Sequence, residues 1–312
     1  MAETASRARI SVIPMKYSMS SLYFNDLNPY QMVQLFATHG WHHLELSEGH
    51  AYDLLTQGEP TKVGRGFKSF AEDHGITFPQ GHLLVAWYSN TDRSKSSRTF
   101  VDVAPESDAD FVKVLDVVKQ WIDLFCAIGI PASVLHMGGS SLVNAGWTEK
   151  AVLERRTEAL SQIVEHAAGA GADVYVENLC YPNCGTETVE EIKALLAGVD
   201  GDNVGICFDT GHAVMAELDC VEFVLKAGDQ LKTLHIHDNI GLRDDHVLPY
   251  ESDTIPWSRV LAALGENKYR GLFNMEIPGR SWCPMQVREV KLDYAKNLAS
   301  YMVAQISHCD NN

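Results

Sequence analysis

The sequence predicts an α/β fold, a single (β/α)8 TIM barrel, on three observations. Eight short apolar runs of strand length recur along the chain, and segments of helical period lie between them. The 312 residues are about twice an ordinary domain, yet within what one such barrel uses. No low-complexity stretch or Pro/Gly-rich linker divides them, so residues 1–312 read as one domain with a core over about 9–306. At 46% hydrophobic residues the chain can fill a sizeable core.

The elements follow in order. "RISVIPM" (9–15) reads as the first strand, with helical spacing over 28–39. "HHLEL" (42–46) is the second strand, before a helix over 61–74, and "ITFPQGHLLV" (76–85) is the third. "NTDRSKSSR" (90–98) then reads as a solvated loop. Its alternative role is to attract a substrate phosphate or carboxylate with Arg93, Lys95 and Arg98. From Ser107 to Ile128, Phe111, Val114, Val118, Trp121, Ile122 and Phe125 recur at helical spacing. Ser107 with Asp110 resembles a capping box with a shortened acid. "ASVLHMG" (132–138) precedes a helix over 149–169, and "ADVYVENL" (172–179) one over 187–198. "NVGICFD" (203–209) leads to 219–228, "LKTLHIHD" (231–238) to 256–265, and "GLFNMEI" (271–277) to a last helix over 285–306. The competing arrangement, a doubly wound open sheet, usually carries a Gly-rich phosphate turn after its first strand, and "VIPMKYSMS" has none.

Charge narrows the partners. A formal net charge of −16 repels a polyphosphate backbone, which disfavours extended nucleic acid but not a small anion held by a local cluster. No apolar run reaches the roughly 18 residues of a membrane span, and "MAETASRARI" lacks the apolar centre of a secretory signal. Seven scattered cysteines, an odd number, suit a reducing compartment, so a cytoplasmic protein is expected. Cys180 and Cys184 in "CYPNC" have metal-compatible spacing, but without a second pair they read as ordinary thiols. A homo-oligomer is compatible with the sequence, and no feature demands one.

Active sites of such barrels lie at the C-terminal ends of the strands. Six consecutive strands end here in a His, Asp or Glu: His82, His136, Glu177, Asp209, His235 and Glu276. His212 follows in "FDTGH", and Asp244 and His246 in "RDDH". Taken singly, each has a structural reading, a hydrogen-bonded imidazole or a carboxylate paired with Arg or Lys. Gathered at one mouth, they are electrostatically costly without a cation, and a His/Asp/Glu set suits zinc, manganese or iron. His235 is therefore expected as a ligand. His237, of the same facing parity, is expected behind it or against substrate. Asp238 and Asn239 are expected to shape the turn.

Together "VYVENL", "CFDTGH", "LHIHDN" with the following "DDH", and "NMEI" resemble the xylose-isomerase-like barrel superfamily. That group holds sugar and sugar-phosphate isomerases and epimerases, inosose-processing enzymes and endonuclease IV. The resemblance spans about 9–306. It implies one divalent metal, often manganese, on Glu177, Asp209, His235 and Glu276, with His212 touching substrate. In the endonuclease IV branch it implies three zincs, adding His82, His136, His212, Asp244 and His246. One departure is "PYESDTIPW" (249–257), where relatives commonly carry "PGxGxIxW". Basic or aromatic insertions that would grip DNA are also missing.

The leading expectation is a metal-dependent isomerase or epimerase of a small polyhydroxylated substrate, with a keto-sugar lyase as a variant. Glu177 and Glu276 are the expected acid/base pair, with His212 orienting substrate. The alternative is a bi- or trinuclear hydrolase of a small phosphoester, and a third class is a non-catalytic binding barrel. The expected cofactor is manganese or zinc, one to three ions per chain. Candidate substrate contacts are Glu45 at the end of the second strand, Trp87 just past His82, His237, and Arg243 beside the "DDH". Glu45 has an equal structural reading as an ion-pair partner, and Trp87 as core packing.

Overall fold

A computed structural model describes residues 15–241 and 243–308. Eight parallel strands close into a barrel: β1 (Tyr17–Ser20), β2 (His43–Leu46), β3 (Thr77–His82), β6 (Ala132–Leu135), β7 (Asp173–Glu177), β8 (Val204–Asp209), β9 (Leu231–Ile236) and β10 (Leu272–Met275). Each pairs with its neighbours in chain order, and β10 pairs with β1 to close the ring. β4 (Ala86–Tyr88) and β5 (Arg98–Phe100) form a separate antiparallel hairpin after β3. The expected long helices are present as α1 (Pro29–Thr38), α3 (Pro60–Asp73), α4 (Asp108–Ile128), α6 (Glu149–Gly169), α7 (Val189–Leu196), α9 (Cys220–Ala227), α10 (Trp257–Glu266) and α11 (Met285–His308). Three further helices are present: α2 (Glu48–Leu55), α5 (Ser140–Asn144) and α8 (Thr210–Met215).

Local chemistry explains the boundaries. Asn28 and Thr188 start α1 and α7 with complete capping boxes, closed by Gln31 and Glu191. Ser107 Oγ accepts the Asp110 N–H at 3.3 Å, but the shorter Asp110 side chain makes no return bond. Gly129 ends α4 at φ 91°, the left-handed cap that glycine adopts without strain.

Strand alternation separates two interiors. Leu234, Ile236, Phe208, Val174 and Val176 are buried in the apolar core, and the Phe208 and Phe223 rings stack at 4.3 Å. The barrel's own interior is polar, where most such barrels hold Val, Ile and Leu. Ser18 Oγ donates to Asn274 Oδ1 (2.7 Å), Asn274 Nδ2 to Glu45 Oε2 (2.9 Å), and Gln80 Nε2 to Glu45 Oε1 (3.0 Å). Thr233 Oγ1 donates to Gln80 Oε1.

That polar interior corrects the first strand. The run 9–15 lies outside the described residues except Met15, and the strand that closes the barrel is "YSMS". Its Ser18 bonds inward to Asn274 while Met19 packs in the core, so it never presents an apolar run. The loop expected at 90–98 is the turn of the hairpin, with Arg98 opening the return strand. Among the described residues no helix is long and apolar enough to cross a membrane.

Candidate metal centre and active site

The strand ends open on a cavity of about 250 Å3. His82, His136, Glu177, His212, Asp244, His246 and Glu276 line one side, and Tyr88, Arg98, Phe100 and Tyr181 the other.

Glu177, the last residue of β7, stands at the centre. Its Oε2 lies 3.0 Å from His136 Nε2 and 3.3 Å from His82 Nε2. Its Oε1 lies 3.2 Å from His235 Nδ1 and 3.3 Å from His212 Nδ1. Asp209 and His235 are register partners across β8 and β9, which places them side by side. Glu177, Asp209, His235 and Glu276 each offer a ligand atom within 4.8 Å of the others. His82, His136 and Glu177 form a second such grouping, and His237, His246 and Glu276 another. Asp244 Oδ2 lies 2.9 Å from His246 Nε2 and 3.5 Å from His212 Nε2. The structure thus brings all nine anticipated positions to one mouth. His246 takes a left-handed φ of 45°, strained for a residue with a side chain.

A cation fits this set, and His235 shows why. Its Nε2 lies 2.8 Å from Glu45 Oε1, and a carboxylate only accepts, so that nitrogen carries the hydrogen. In the neutral ring its buried Nδ1 then presents a lone pair, and it makes no hydrogen bond. Glu177 Oε1 and Glu276 Oε2 each lie 3.2 Å from it. Lone pairs facing one another in a dry site repel unless a positive charge is shared among them.

The protein groups alone partly offset that charge with protons. Burial disfavours the charged forms of His82 and His246, but Glu177 for the first and Asp244 for the second raise each to about 9. Burial is likewise outweighed at His212 by Asp209, Asp244 and Glu177, and at His235 by Cys207, Glu276, Glu45 and Glu177, leaving both well above the usual imidazole value. Burial wins at His136 and lowers it. Burial raises Glu177 and Glu276, but His235 leads a set of imidazoles that hold both below the ordinary carboxylate range.

Surrounding residues fix these ligand atoms. His237 is buried, with Nε2 3.0 Å from both Asp209 oxygens and its ring stacked on His246 at 3.9 Å. A Cβ on Gly211 would come within 1.9 Å of His237 Cε1, so the glycine of "FDTGH" makes room for that ring. Asp209 Oδ1 also accepts the His212 N–H at 2.6 Å, capping α8. Asp238 accepts from Ser252 Oγ (2.6 Å) and Trp257 Nε1 (3.1 Å), which ties the altered segment 249–257 to the turn after β9.

Three anticipated substrate contacts, Glu45, Trp87 and Arg243, lie outside the cavity lining. Glu45 is buried beneath the cluster and accepts from His235, Gln80 and Asn274, so it positions His235 and has no face toward a substrate. Trp87 lies outside the cavity, because strand alternation turns the next residue, Tyr88, inward, and Lys113 Nζ sits 5.8 Å from the Trp87 ring. The Arg243 side chain is 85% exposed and pairs with Asp245 at 3.0 Å. The hairpin cations are paired as well: Arg93 with Asp53, Lys95 with Asp92 and Arg98 with Glu48, each at 2.7 Å. His237 stands behind the ligand atoms, against Asp209 and His246.

Several cavity residues went unread in the sequence. Tyr88, Arg98 and Phe100 belong to the hairpin, whose three-residue strands leave little periodic signal. Tyr181 was passed over inside "CYPNC", where spacing drew attention to the cysteines. Neither Cys180 nor Cys184 joins a ligand grouping, whereas Cys207 joins one with Glu177 and His235.

Residues 30–301 match the model of a family described as xylose isomerase-like TIM barrel. The uncharacterized protein y4fM of Sinorhizobium fredii is 30% identical over 166 residues, 53% of this chain and 52% of that one. An inosose dehydratase of Lacticaseibacillus casei is 26% identical over 172 residues, 50% of this chain and 51% of that one. The chain therefore spans about half the length of these curated relatives. A D-psicose 3-epimerase from Clostridium cellulolyticum H10, solved with D-tagatose, superposes with a TM-score of 0.73 at 16% identity, covering 93% of this chain and 99% of that one.

Proposed function

The chain belongs to the xylose isomerase-like TIM-barrel family, and from that premise we propose that it is a metal-dependent isomerase or epimerase of a small sugar or sugar derivative. The observation that carries the reading is the convergence of Glu177, Asp209, His235 and Glu276, with a buried, unpartnered His235 Nδ1 among their oxygens. The relatives that act on inososes and ketohexoses support the substrate class.

A divalent cation held by those four residues, manganese or zinc, would stabilise the negative charge that develops on adjacent substrate oxygens as a carbon-bound proton leaves. The chain moves the proton. Glu177, from β7, and Glu276, just after β10, each place an oxygen 3.2 Å from His235 Nδ1, and we assign them to opposite faces of the substrate. One carboxylate oxygen takes the proton from the carbon beside the carbonyl. For epimerisation the other group returns one to the opposite face; for isomerisation a proton returns to the former carbonyl carbon while the adjacent hydroxyl proton passes to the former carbonyl oxygen. A positioned carboxylate contributes about two to four orders of magnitude to such a transfer. His212 is held by Nδ1 against Asn178 O at 2.9 Å, which leaves Nε2 toward the cavity to orient a substrate oxygen. Tyr88, Phe100 and Tyr181 add aromatic surface to the cavity lining. Elimination from a keto-sugar starts with the same proton abstraction and is a variant of this reading. The six described cysteines, all unpaired, agree with a cytoplasmic setting.

A second reading keeps one observation of its own. His82 and His136 stand on the second oxygen of Glu177, and His212 and His246 stand around Asp244, enough donors for two or three ions and hydrolysis of a small phosphoester. The test separates the two. Metal-loaded protein is incubated in D2O with ketohexoses and inososes, and NMR follows the C–H beside the carbonyl. Deuterium should enter at that carbon, and Glu276→Gln should abolish the exchange. No exchange on any of these sugars, together with turnover of a phosphoester, would sink the isomerase reading.

A further inference from the structure

Beside the cavity lined by the candidate ligands, on the same face of the barrel, lies a larger groove of about 710 Å3. Leu22 and Asn25 line both, so the two hollows adjoin. We infer that the groove is a subsite for a glycosyl group carried by the substrate: the reacting sugar sits over the ligand cluster, and a second ring joined to it through a glycosidic oxygen stacks on Trp282. The inference rests on the functional reading above and deepens it by naming the substrate class, a glycoside in place of a free monosaccharide.

Size is the first support. Sites that enclose a whole small-molecule ligand usually measure roughly 300–1,000 Å3. The inner cavity, at about 250 Å3, is smaller, whereas the groove lies within that range.

Trp282 is the second. Its side chain is 80% exposed, more than any other large hydrophobic residue among those described, and it lines the groove. An indole offers a flat apolar face and one N–H donor, which suits the C–H face and the hydroxyls of a sugar ring.

The third support is how that indole is presented. The Gly279 N–H donates to Tyr23 O at 3.0 Å, and a Cβ at Gly279 would lie 2.2 Å from that oxygen. Arg280 adopts a φ of 53°, unusual for a residue with a side chain, and its Nη2 donates to Asp245 O at 2.5 Å. The Cys283 N–H closes a turn onto Arg280 O at 2.8 Å. A loop tied at three points gives up little further freedom when a ring settles on it. The groove also carries oriented polar groups. Arg93 donates to both Asp53 oxygens (2.8 and 2.7 Å) and to Asn25 Oδ1 (2.7 Å), which fixes these side chains for hydroxyl recognition.

The test uses three glucosyl-fructoses of different linkage (isomaltulose, leucrose and turanose), with D-fructose as control, on metal-loaded wild type and Trp282→Ala. Trp282 is exposed, so the variant should keep the wild-type melting curve. In saturation-transfer NMR, the glucosyl-ring protons of at least one disaccharide should receive saturation from wild type and lose at least fivefold in the variant, with fructose signals alike in both. In deuterium exchange, kcat/KM for that disaccharide should exceed that for fructose tenfold or more, and Trp282→Ala should remove the advantage through KM. Glucosyl protons that stay unsaturated with all three disaccharides, or that are unaffected by Trp282→Ala, overturn the subsite, even if fructose exchanges. Dimerisation lost in Trp282→Ala without glucosyl saturation overturns it too and assigns the face to a second copy of the chain. Glucosyl saturation without exchange on any sugar supports the subsite and contradicts the isomerase chemistry instead.

Discussion

Glu45 acts through His235. It lies under the ligand cluster, and three donors reach its carboxylate. Those bonds choose the tautomer that leaves His235 Nδ1 with a lone pair toward Glu177 and Glu276. Glu45→Gln removes the charge, and its amide group would oppose the His235 N–H. Metal affinity should fall about 10- to 100-fold, read by competition with a fluorescent chelator, while the circular dichroism of the folded chain stays unchanged. Undiminished affinity would show that Glu45 does not position the ligand. His50 sits beside the same mouth and works differently. It is buried against Ser21, Ser47 and Leu27 O, and burial pushes its pKa down to about 3. Unfolded, the same imidazole titrates near 6.5. The folded pKa is the lower one, so the unfolded chain binds the extra proton between those values. The neutral ring's contribution is therefore complete above about pH 6.5 and is lost as pH falls toward about 3. His50→Gln should flatten the fall in unfolding free energy across that window, measured by urea titration at several pH values. Parallel profiles for wild type and variant would contradict this.

At the scale of elements, the hairpin β4–β5 is the feature that shapes the mouth. Its tip is fastened by Arg93 to Asp53 and Asn25, and its return strand by Arg98 to Glu48. Arg93→Ala leaves the mostly buried Asp53 without its partner and unfastens the tip. Hydrogen exchange over 86–100 should speed up tenfold or more, with the barrel strands unchanged; an unaltered hairpin would refute the fastening. Which elements were legible follows from the same physics. The strands β2, β3 and β6–β10 each carry an apolar outward face and a polar residue at or within one residue of the C-terminal end, so both the strand and its site residue are readable. Strand β1 is not, because Ser18 belongs to the hydrogen-bonded interior and the strand has no apolar run. The hairpin strands are three residues long, too short for alternation to show, so nothing in the sequence marks Tyr88 and Phe100, and Trp87 stands out only by its nearness to His82. Arg243 was read from its place beside the "DDH", and sequence adjacency does not say which way a loop side chain turns.

The whole molecule joins an acidic chain, of formal charge −16, to a barrel filled with polar groups. Glu45, Glu177, Asp209, Asp244 and Glu276 gather at one end of it, five carboxylates that imidazoles alone must otherwise balance. Such a set binds a cation by releasing protons, and folding and metal binding then support one another. The central claim is that Glu177, Asp209, His235 and Glu276 hold a divalent ion. The most direct measurement is elemental mass spectrometry on protein purified without chelator, comparing wild type with His235→Gln. The account predicts at least one tightly held divalent ion per wild-type chain, and at least one fewer in the variant. A folded wild type that retains no divalent ion, even after incubation with manganese and zinc, would contradict it.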